Sequence, residues 1–264
     1  MNTLETNSTN KRIDEKIENG YQLDLGQIID NSFEIFKKIV WTAGFGYLLV
    51  GLVMTLFVIL GISLLDAGQI DYFEEIAAEI SEDPAFLEKN PNLMSYYMSI
   101  IIGFTLLFVP LNAGFLNLCH LAKTNQKFTV LNIFDFYKIK YIKDLIIGTL
   151  IMSLISVAIS SALEMANLKI VAFVIQVSLS LFTVLFMPLV IYGQQSFLNA
   201  IIKSAKLVVK SPFTILGAII IAVIFALLGF IGLCIGILFT ISYVNCIYYS
   251  LYESIIGFEE EPKI

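Results

Sequence analysis

Side chains that could carry catalysis are few in this chain and do not fall at catalytic spacings. His120 is the one histidine, and a non-haem iron centre held by several histidines cannot be built from it. No group of histidine, cysteine and carboxylate residues has the spacing of a zinc site. The sequence also lacks the H-E-x-x-H and G-x-S-x-G motifs and a Walker phosphate-binding loop. It therefore predicts no catalytic, cofactor-binding or metal-binding residue, and an intramembrane enzyme is the least favoured function.

Cysteines and carboxylates are the other reactive groups. Cys119, Cys234 and Cys246 fall inside apolar stretches, and an odd number buried in hydrocarbon indicates packing and not a disulfide framework. Eight carboxylates lie between residues 66 and 97 against Lys89, a local charge of −7. Their spacing does not match a calcium loop of alternating acids around a central glycine. They predict a solvated acidic face on a short helix, whose apolar face consists of Phe73, Ile76, Ala77 and Ile80.

Neutral polar residues inside apolar stretches form the one candidate site at depth. The candidate intramembrane polar cluster consists of Asn112, Gln176, Tyr243 and Asn245. Such residues could line a solute pathway, or they could form interhelical hydrogen bonds worth about 0.6 kcal/mol each. We favour hydrogen bonding. A stripe of small residues has the same two interpretations, and we favour packing because no charge accompanies it; the stripe comprises Thr149, Ser153, Ser156 and Ser160.

The elements that must position these residues are long apolar stretches. The chain is 58% hydrophobic and 14% charged, against about 25% charged residues in soluble domains. A membrane-spanning helix needs about 20 apolar residues. The uncharged stretches predict an all-α polytopic membrane protein with six transmembrane helices arranged as three hairpins. The predicted spans cover residues 39–65, 97–121, 145–164, 169–191, 212–230 and 232–254.

Basic residues alternate with these spans and predict the orientation. Of the 16 Lys and Arg residues, only Lys89 and Lys169 fall outside the segments that precede spans 1, 3 and 5 or the end of the chain. Lys and Arg are retained on the cytoplasmic side during insertion. The N-terminus, residues 122–144 and 192–211, and the C-terminus are therefore predicted to be cytoplasmic, with the acidic loop 66–96 outside. The use of fifteen Lys and one Arg is typical of an AT-rich bacterial genome, so the predicted location is the bacterial inner membrane.

Three basic segments, residues 22–40, 128–145 and 196–211, have apolar residues at helical spacing opposite charged ones. We predict that each is an amphipathic helix lying in the bilayer interface before a hairpin, which would make three repeated units. Their lysines are the candidate contacts for anionic lipid headgroups: Lys37, Lys38, Lys138, Lys143, Lys203, Lys206 and Lys210.

The remaining segments are polar. Residues 1–20 contain little to bury and are predicted to be a disordered cytoplasmic tail. Residues 21–257 form the membrane domain, and residues 258–264 form a second cytoplasmic tail.

Several short motifs resemble one family. They are Pro110-Leu111-Asn112-Ala113-Gly114, the segment 128–137, the segment 200–206, Ser211-Pro212 and the segment 248–257. Over residues 22–257 the chain resembles the membrane domain fused to some bacterial glycerophosphodiester phosphodiesterases, and the stand-alone six-helix relatives of that domain. The resemblance implies a six-helix fold. The catalytic barrel of those enzymes has no counterpart in these residues, so the resemblance assigns no catalytic role.

These features predict a non-catalytic inner-membrane protein that organises lipid or protein partners and does not bind nucleic acid. The basis is the three basic segments, since each well-placed lysine near an anionic leaflet contributes about 1 kcal/mol. The alternative is a transporter or channel for a small or amphiphilic solute, suggested by Pro110, Pro188 and the polar residues at depth.

Overall fold

A computed structural model describes residues 3–64, 67–83, 86–138, 142–232 and 236–258. In these ranges the chain is helical and contains no strand. The α-helices are α1 Thr3–Asn19, α2 Leu25–Ser63, α3 Ala67–Glu82, α4 Phe86–Lys89, α5 Pro91–Lys123, α6 Ile142–Met165, α7 Lys169–Phe182, α8 Phe186–Ile191, α9 Phe197–Lys210, α10 Pro212–Leu228, α11 Gly236–Thr240 and α12 Ser242–Ile255. Two 3-10 helices cover Val130–Lys138 and Gly229–Gly232.

Five helical stretches are long and apolar enough to cross a membrane: Leu25–Leu60, Pro91–Lys123, Ile142–Leu163, Lys169–Ile191 and Pro212–Ile231. The prediction of an all-α polytopic membrane protein is thus confirmed. The sixth predicted span, residues 232–254, is divided between α11 and α12, and residues 233–235 lie outside the described ranges. Each of these two helices is shorter than a bilayer crossing, so the count of six remains a prediction.

The turn before α11 is built on close backbone approach. A Cβ atom at Gly236 would overlap the carbonyl oxygen of Gly229, so a larger residue would push the backbone at these two positions apart. Thr240 Oγ1 donates to the Ala226 carbonyl over 2.8 Å and ties α11 back onto α10. The end of α10 and the start of α11 are therefore in contact, and residues 233–235 between them lie outside the described ranges.

The first predicted interfacial segment is not a separate helix. Residues 22–40 and the first span merge into α2, which is 39 residues long and about 58 Å at 1.5 Å per residue. This exceeds the bilayer hydrocarbon of about 30 Å. Of the apolar residues expected to lie in the bilayer, Ile28 and Phe36 are buried in protein instead, whereas Phe33 is exposed. The seam with α12 explains this burial, because Ser32 Oγ donates to the Cys246 carbonyl over 3.3 Å.

The second and third segments take different forms again. Residues 130–138 form a 3-10 helix whose Ile133 and Phe136 are buried. Residues 197–210 form the separate helix α9, with Ala200, Leu207 and Val208 buried. The prediction of three equivalent repeated units is therefore corrected, because each segment is shaped by the helices it packs on and not by a shared local pattern.

The fourth predicted span is interrupted between α7 and α8. Pro188 has no N–H, and its ring clashes with the carbonyl four residues earlier, at Val184. Ser204 of α9 bridges the break: its Oγ donates to the Phe182 carbonyl over 2.6 Å and accepts from the Leu185 N–H over 3.2 Å. The chain therefore has a helix break before this proline, and Ser204 of α9 satisfies two backbone groups on either side of it. Pro110, by contrast, lies inside the continuous helix α5.

The predicted disorder of residues 1–20 is wrong for Thr3–Asn19, which forms α1. Ile13 is fully buried, and Asp14 pairs with Lys203 of α9 at 2.7 Å. Just after α1, the Tyr21 hydroxyl donates to the Leu207 carbonyl over 2.6 Å, and burial raises the pKa of Tyr21 to about 12. This segment is mostly polar, but Ile13 and Ile17, about one turn apart, pack against the core and hold the helix there.

Contacts place the basic segments at one end of the bundle. The basic end comprises α1, the first half of α2, the last part of α5, the 3-10 helix 130–138, α9 and α12. The acidic end comprises the last part of α2, α3, α4, the first part of α5, and the α6–α7 connection. The short helix predicted in the acidic loop is present as α3. Residues 65–66 and 84–85 of that loop, and residues 259–264 of the predicted C-terminal tail, lie outside the described ranges.

Candidate functional site at the basic end

Two of the predicted headgroup lysines are engaged within the protein. Lys38 Nζ donates to the Ala122 carbonyl over 3.1 Å and to Asn125 Oδ1 over 2.9 Å, which satisfies the C-terminal end of α5. Lys203 forms the ion pair with Asp14 of α1. These two cations therefore hold helices together, and they are poor candidates for headgroup contacts.

Four others are exposed and have no ion pair within the described residues: Lys37, Lys143, Lys206 and Lys210. Lys37 lies over the ring of Phe33, with Nζ 5.4 Å from the centroid. The side chain of the seventh candidate, Lys138, lies outside the described part of the structure. Lys127, next to α5, is also exposed. The basic end thus presents several solvent-facing cations.

A polar network that the sequence interpretation did not identify joins α2, α5 and α12. Asn31 Nδ2 donates to Glu253 Oε2 over 2.6 Å and to Ser250 Oγ over 3.1 Å. Lys123 Nζ donates to Asn31 Oδ1 and pairs with Glu253 at 3.5 Å. Two side-chain charges and one amide therefore fix three helices relative to one another. The sequence does show polar residues at the ends of apolar stretches. Their spacing, however, does not indicate which of them contact one another.

His120 lies among aromatic rings and not among metal ligands. Its Nδ1 is 3.3 Å from the Tyr249 hydroxyl. Ring centroids of Tyr192, Tyr249 and Phe258 lie 5.5, 5.9 and 4.9 Å from its own. Within the described ranges, no three His, Cys, Asp or Glu residues could share a metal ion. The arrangement offers packing and one polar contact.

Two cysteines meet in the core beside this aromatic group. Cys119 Sγ of α5 and Cys246 Sγ of α12 are 3.6 Å apart, and both residues are fully buried. The thiols fill space between two helices, in agreement with the packing role predicted for them. Cys234 lies outside the described ranges.

The predicted intramembrane polar residues are not brought together. Asn245 Nδ2 donates to the Tyr47 hydroxyl over 2.9 Å. Tyr243 packs against the rings of Phe36 and Phe225, with centroids 5.6 and 4.4 Å away. Gln176 binds elsewhere, in the α6–α7 pair, and Asn112 is exposed. Three of the four residues have separate partners, and Asn112 has no described partner. The structure therefore does not assemble them into one polar site.

Part of the small-residue stripe on α6 contacts α7. Ser156 Oγ and Ser160 Oγ both lie near Gln176 Oε1, at 2.8 and 3.5 Å. In membranes, small residues let two helices approach closely, and Ser and Gln side chains form hydrogen bonds between them. This contact accords with the packing interpretation of the stripe.

An open groove crosses the basic end between α1, α7 and α9. Its volume is about 520 Å³, and it is lined by Ile17, Phe182, Ala205, Lys206, Val209 and Lys210. The floor is apolar, and the lysines at its edge are exposed. A smaller apolar cavity of about 100 Å³ lies between α5 and α6, near Met98 and Ser153. Of the groove and this cavity, only the groove has both an apolar surface and lysines without a described ion pair.

Comparisons of this chain with protein-family models, with curated proteins and with solved structures give no match.

Proposed function

We propose that this is a non-catalytic protein of the bacterial inner membrane whose basic end associates with anionic lipid headgroups on the cytoplasmic side. The observation that supports the proposal most directly is the set of exposed lysines at one end of the bundle, without described ion pairs. Lysines near an anionic leaflet each contribute about 1 kcal/mol to association. We propose a mode of contact different from the one that the sequence suggested. Part of the apolar face of each basic segment packs on protein, so the headgroups would meet a packed cationic surface and not loosely attached helices.

The topology is part of the proposal. We place the basic end in the cytoplasm, following the retention of Lys and Arg on that side, and we propose that α11 and α12 together complete a sixth crossing. Contacts between α12 and the first half of α2, such as that of Asn31 with Glu253, support this return of the chain to the basic end. The motif resemblance to the phosphodiesterase-associated membrane domain fits the same architecture.

The transporter alternative has weaker support. Asn245 and Gln176, two of the polar residues that suggested a pathway, have their amides engaged between helices. The groove and the α5–α6 cavity do not connect with either residue through the side chains that line them. Protein partners fit the rigid basic surface, but no described contact favours a particular one.

Binding of lipid to the intact protein tests the proposal. The full-length chain is purified in detergent and titrated with phosphatidylglycerol or phosphatidylcholine of identical acyl chains, and bound lipids are counted by native mass spectrometry. We expect tighter and more numerous phosphatidylglycerol adducts, with a preference that weakens as ionic strength rises, because salt screens exposed charges. Equal retention of both lipids would contradict the proposal.

A further inference from the structure

The groove between α1, α7 and α9 has two chemically different parts. Its floor is formed by Ile17, Phe182, Ala205 and Val209, and its edge carries Lys206 and Lys210. Val209 is 62% exposed although its side chain is apolar. An apolar floor beside a charged edge suits a ligand that is itself amphiphilic. The volume of about 520 Å³ lies in the range of roughly 300–1,000 Å³ typical of small-molecule sites.

The two edge lysines are the uncompensated cations of α9. They are four residues apart and therefore lie on one face of the helix. Lys203, one turn before, is neutralised by Asp14 at 2.7 Å, whereas Lys206 and Lys210 are exposed and have no ion pair within the described residues. The Lys203–Asp14 pair also fixes α1 as one wall of the groove. The groove thus has a fixed shape and two positive charges available to a ligand.

The surface of α7 points to a lipid and not to a soluble anion. Phe182 ends α7, and the stretch Lys169–Ile191 is long and apolar enough to cross a membrane. On the face of α7 that carries Phe182, Leu179 is half-buried and Val171 is exposed, so the groove floor continues into a surface that faces acyl chains. A phosphate held by the lysines would lie at the edge of the bilayer, with a hydrocarbon chain descending along α7.

We infer that this groove is a discrete site for one anionic glycerophospholipid, with its phosphate at Lys206 and Lys210 and an acyl chain on the floor formed by Ile17, Phe182, Ala205 and Val209. The inference rests on the proposed function and makes it specific, because it distinguishes one site from a diffuse cationic surface.

The test compares two double variants that remove the same charge. Lys206→Gln with Lys210→Gln alters the groove, and Lys37→Gln with Lys143→Gln alters exposed lysines elsewhere on the basic end. The tightest phosphatidylglycerol site is measured by native mass spectrometry of the full-length protein. At roughly fivefold per lysine, we expect the groove variant to lose about 25-fold in affinity at this tightest site. The Lys37 and Lys143 variant should keep the affinity of that site within about twofold while its weaker phosphatidylglycerol adducts become fewer, because those lysines belong to the wider basic surface.

A second pair of variants tests the floor while both lysines remain. Val209→Asp places a carboxylate in the groove, and Ile202→Asp makes the same change on α9 at a residue of similar exposure, 51%, outside the lining. We expect Val209→Asp to weaken the tightest site at least fivefold and Ile202→Asp to leave it unchanged. Melting temperatures of all four variants establish that they are folded.

The outcomes separate the site from the wider proposal. Equal retention of phosphatidylglycerol and phosphatidylcholine by the unmodified protein overturns the proposed function itself. A preference for phosphatidylglycerol that both double variants lose equally leaves the proposed function standing and overturns the groove. Inorganic phosphate is titrated as a competitor; displacement of the lipid by equimolar phosphate would show that the apolar floor contributes nothing and would also overturn the inference. A groove that retains no lipid but binds a co-purifying protein has the same consequence.

Discussion

The two ends of the bundle are held together in different ways. At the basic end, α2, α5 and α12 are joined through Asn31, Lys123 and Glu253, and α1 docks on α9 through Ile13 and Asp14. At the acidic end, nearly every described side chain in residues 51–60 of α2 is exposed. The same helix is therefore packed into protein at one end and bare at the other.

Solvent explains the difference. Next to water, burying apolar surface is favourable, so the segments at the basic end gain from covering one another. Inside hydrocarbon, lipid tails are as apolar as leucine, and helices associate only through close packing and hydrogen bonds. The comparison indicates that the tertiary structure of this protein is determined mainly at its basic end, and that the exposed apolar residues near the acidic end are covered by lipid.

The largest expected difference concerns the orientation of the protein in the membrane, because each end should either react fully with an impermeant reagent or not react at all. In a variant whose three cysteines are replaced by serine, Lys89→Cys at the acidic end should react with a membrane-impermeant maleimide in intact cells. Lys11→Cys at the basic end should react only after permeabilisation, because Lys and Arg are retained in the cytoplasm. Both side chains are well exposed, at 65% and 80%, so differences in burial do not limit the reaction. Labelling of Lys11→Cys in intact cells would reverse the proposed orientation.

The largest difference in stability is expected between two alanine substitutions at glycines of α5. A Cβ at Gly114 would overlap the backbone carbonyl of Ile133, whereas Gly103, nearer the acidic end, has open space around it. Gly114→Ala should therefore destabilise by about 1–3 kcal/mol through overpacking. Gly103→Ala should be neutral or stabilising by up to about 1 kcal/mol, since alanine is the better helix former. Thermal unfolding in detergent measures both, and equal effects would show that the 3-10 helix does not pack on α5 as described.

A smaller effect is expected from one lysine at each end. Lys123→Met removes the cation of the network with Asn31 and Glu253, and the Glu253 side chain is only 23% exposed. Hydrogen bonds to charged groups contribute about 1.5–3 kcal/mol, which solvent reduces here to about 1–2 kcal/mol since Lys123 is 38% exposed. Lys89→Met at the acidic end breaks an exposed pair with Asp83 at 2.5 Å and should cost less than about 0.5 kcal/mol. Urea or thermal unfolding of the pair tests the contrast, which disappears if the network does not form.

Apart from the control variants, the smallest effect is expected where helices meet within the bilayer. Gln176→Leu removes the acceptor that Ser156 and Ser160 share. A hydrogen bond between membrane helices is worth about 0.6 kcal/mol, so the loss should be near that value. Ser178→Ala is the matched control, because the Ser178 hydroxyl bonds only within its own helix, to the Val174 carbonyl. A loss above about 2 kcal/mol for Gln176→Leu would indicate that Gln176 belongs to a larger polar site.

Local patterns predicted much of the architecture. The spans predicted at 145–164 and 212–230 correspond closely to α6, Ile142–Met165, and α10, Pro212–Leu228, because uninterrupted apolar stretches and a Ser-Pro helix start are properties of the segment itself. The helix in the acidic loop was predicted for the same reason. The helix α1 was not predicted, since Ile13 lies beside Gly193, a residue far away in the sequence.

The candidate site was predicted less well than the helices. Composition identified the basic lysines, but only the structure separates Lys38 and Lys203, which are engaged by protein, from Lys206 and Lys210, which have no ion pair in the described part of the chain. Which residues a lysine contacts depends on the distances between helices, and no local sequence pattern indicates those distances. The groove has the same origin, because its lining comes from three helices that are separated in sequence.

By itself, the sequence determined that this chain is helical and enters a membrane, since hydrocarbon admits only backbone that satisfies its own hydrogen bonds and long apolar stretches can bury nowhere else. It also determined which side chains carry charge. Tertiary structure alone decided how the basic segments pack at one end of the bundle and that Cys119 meets Cys246. It also decided that Lys206 and Lys210 lie beside an apolar groove without an ion pair among the described residues. The physical reason is that burial and pairing are properties of surfaces that meet, and those surfaces exist only once the chain has folded.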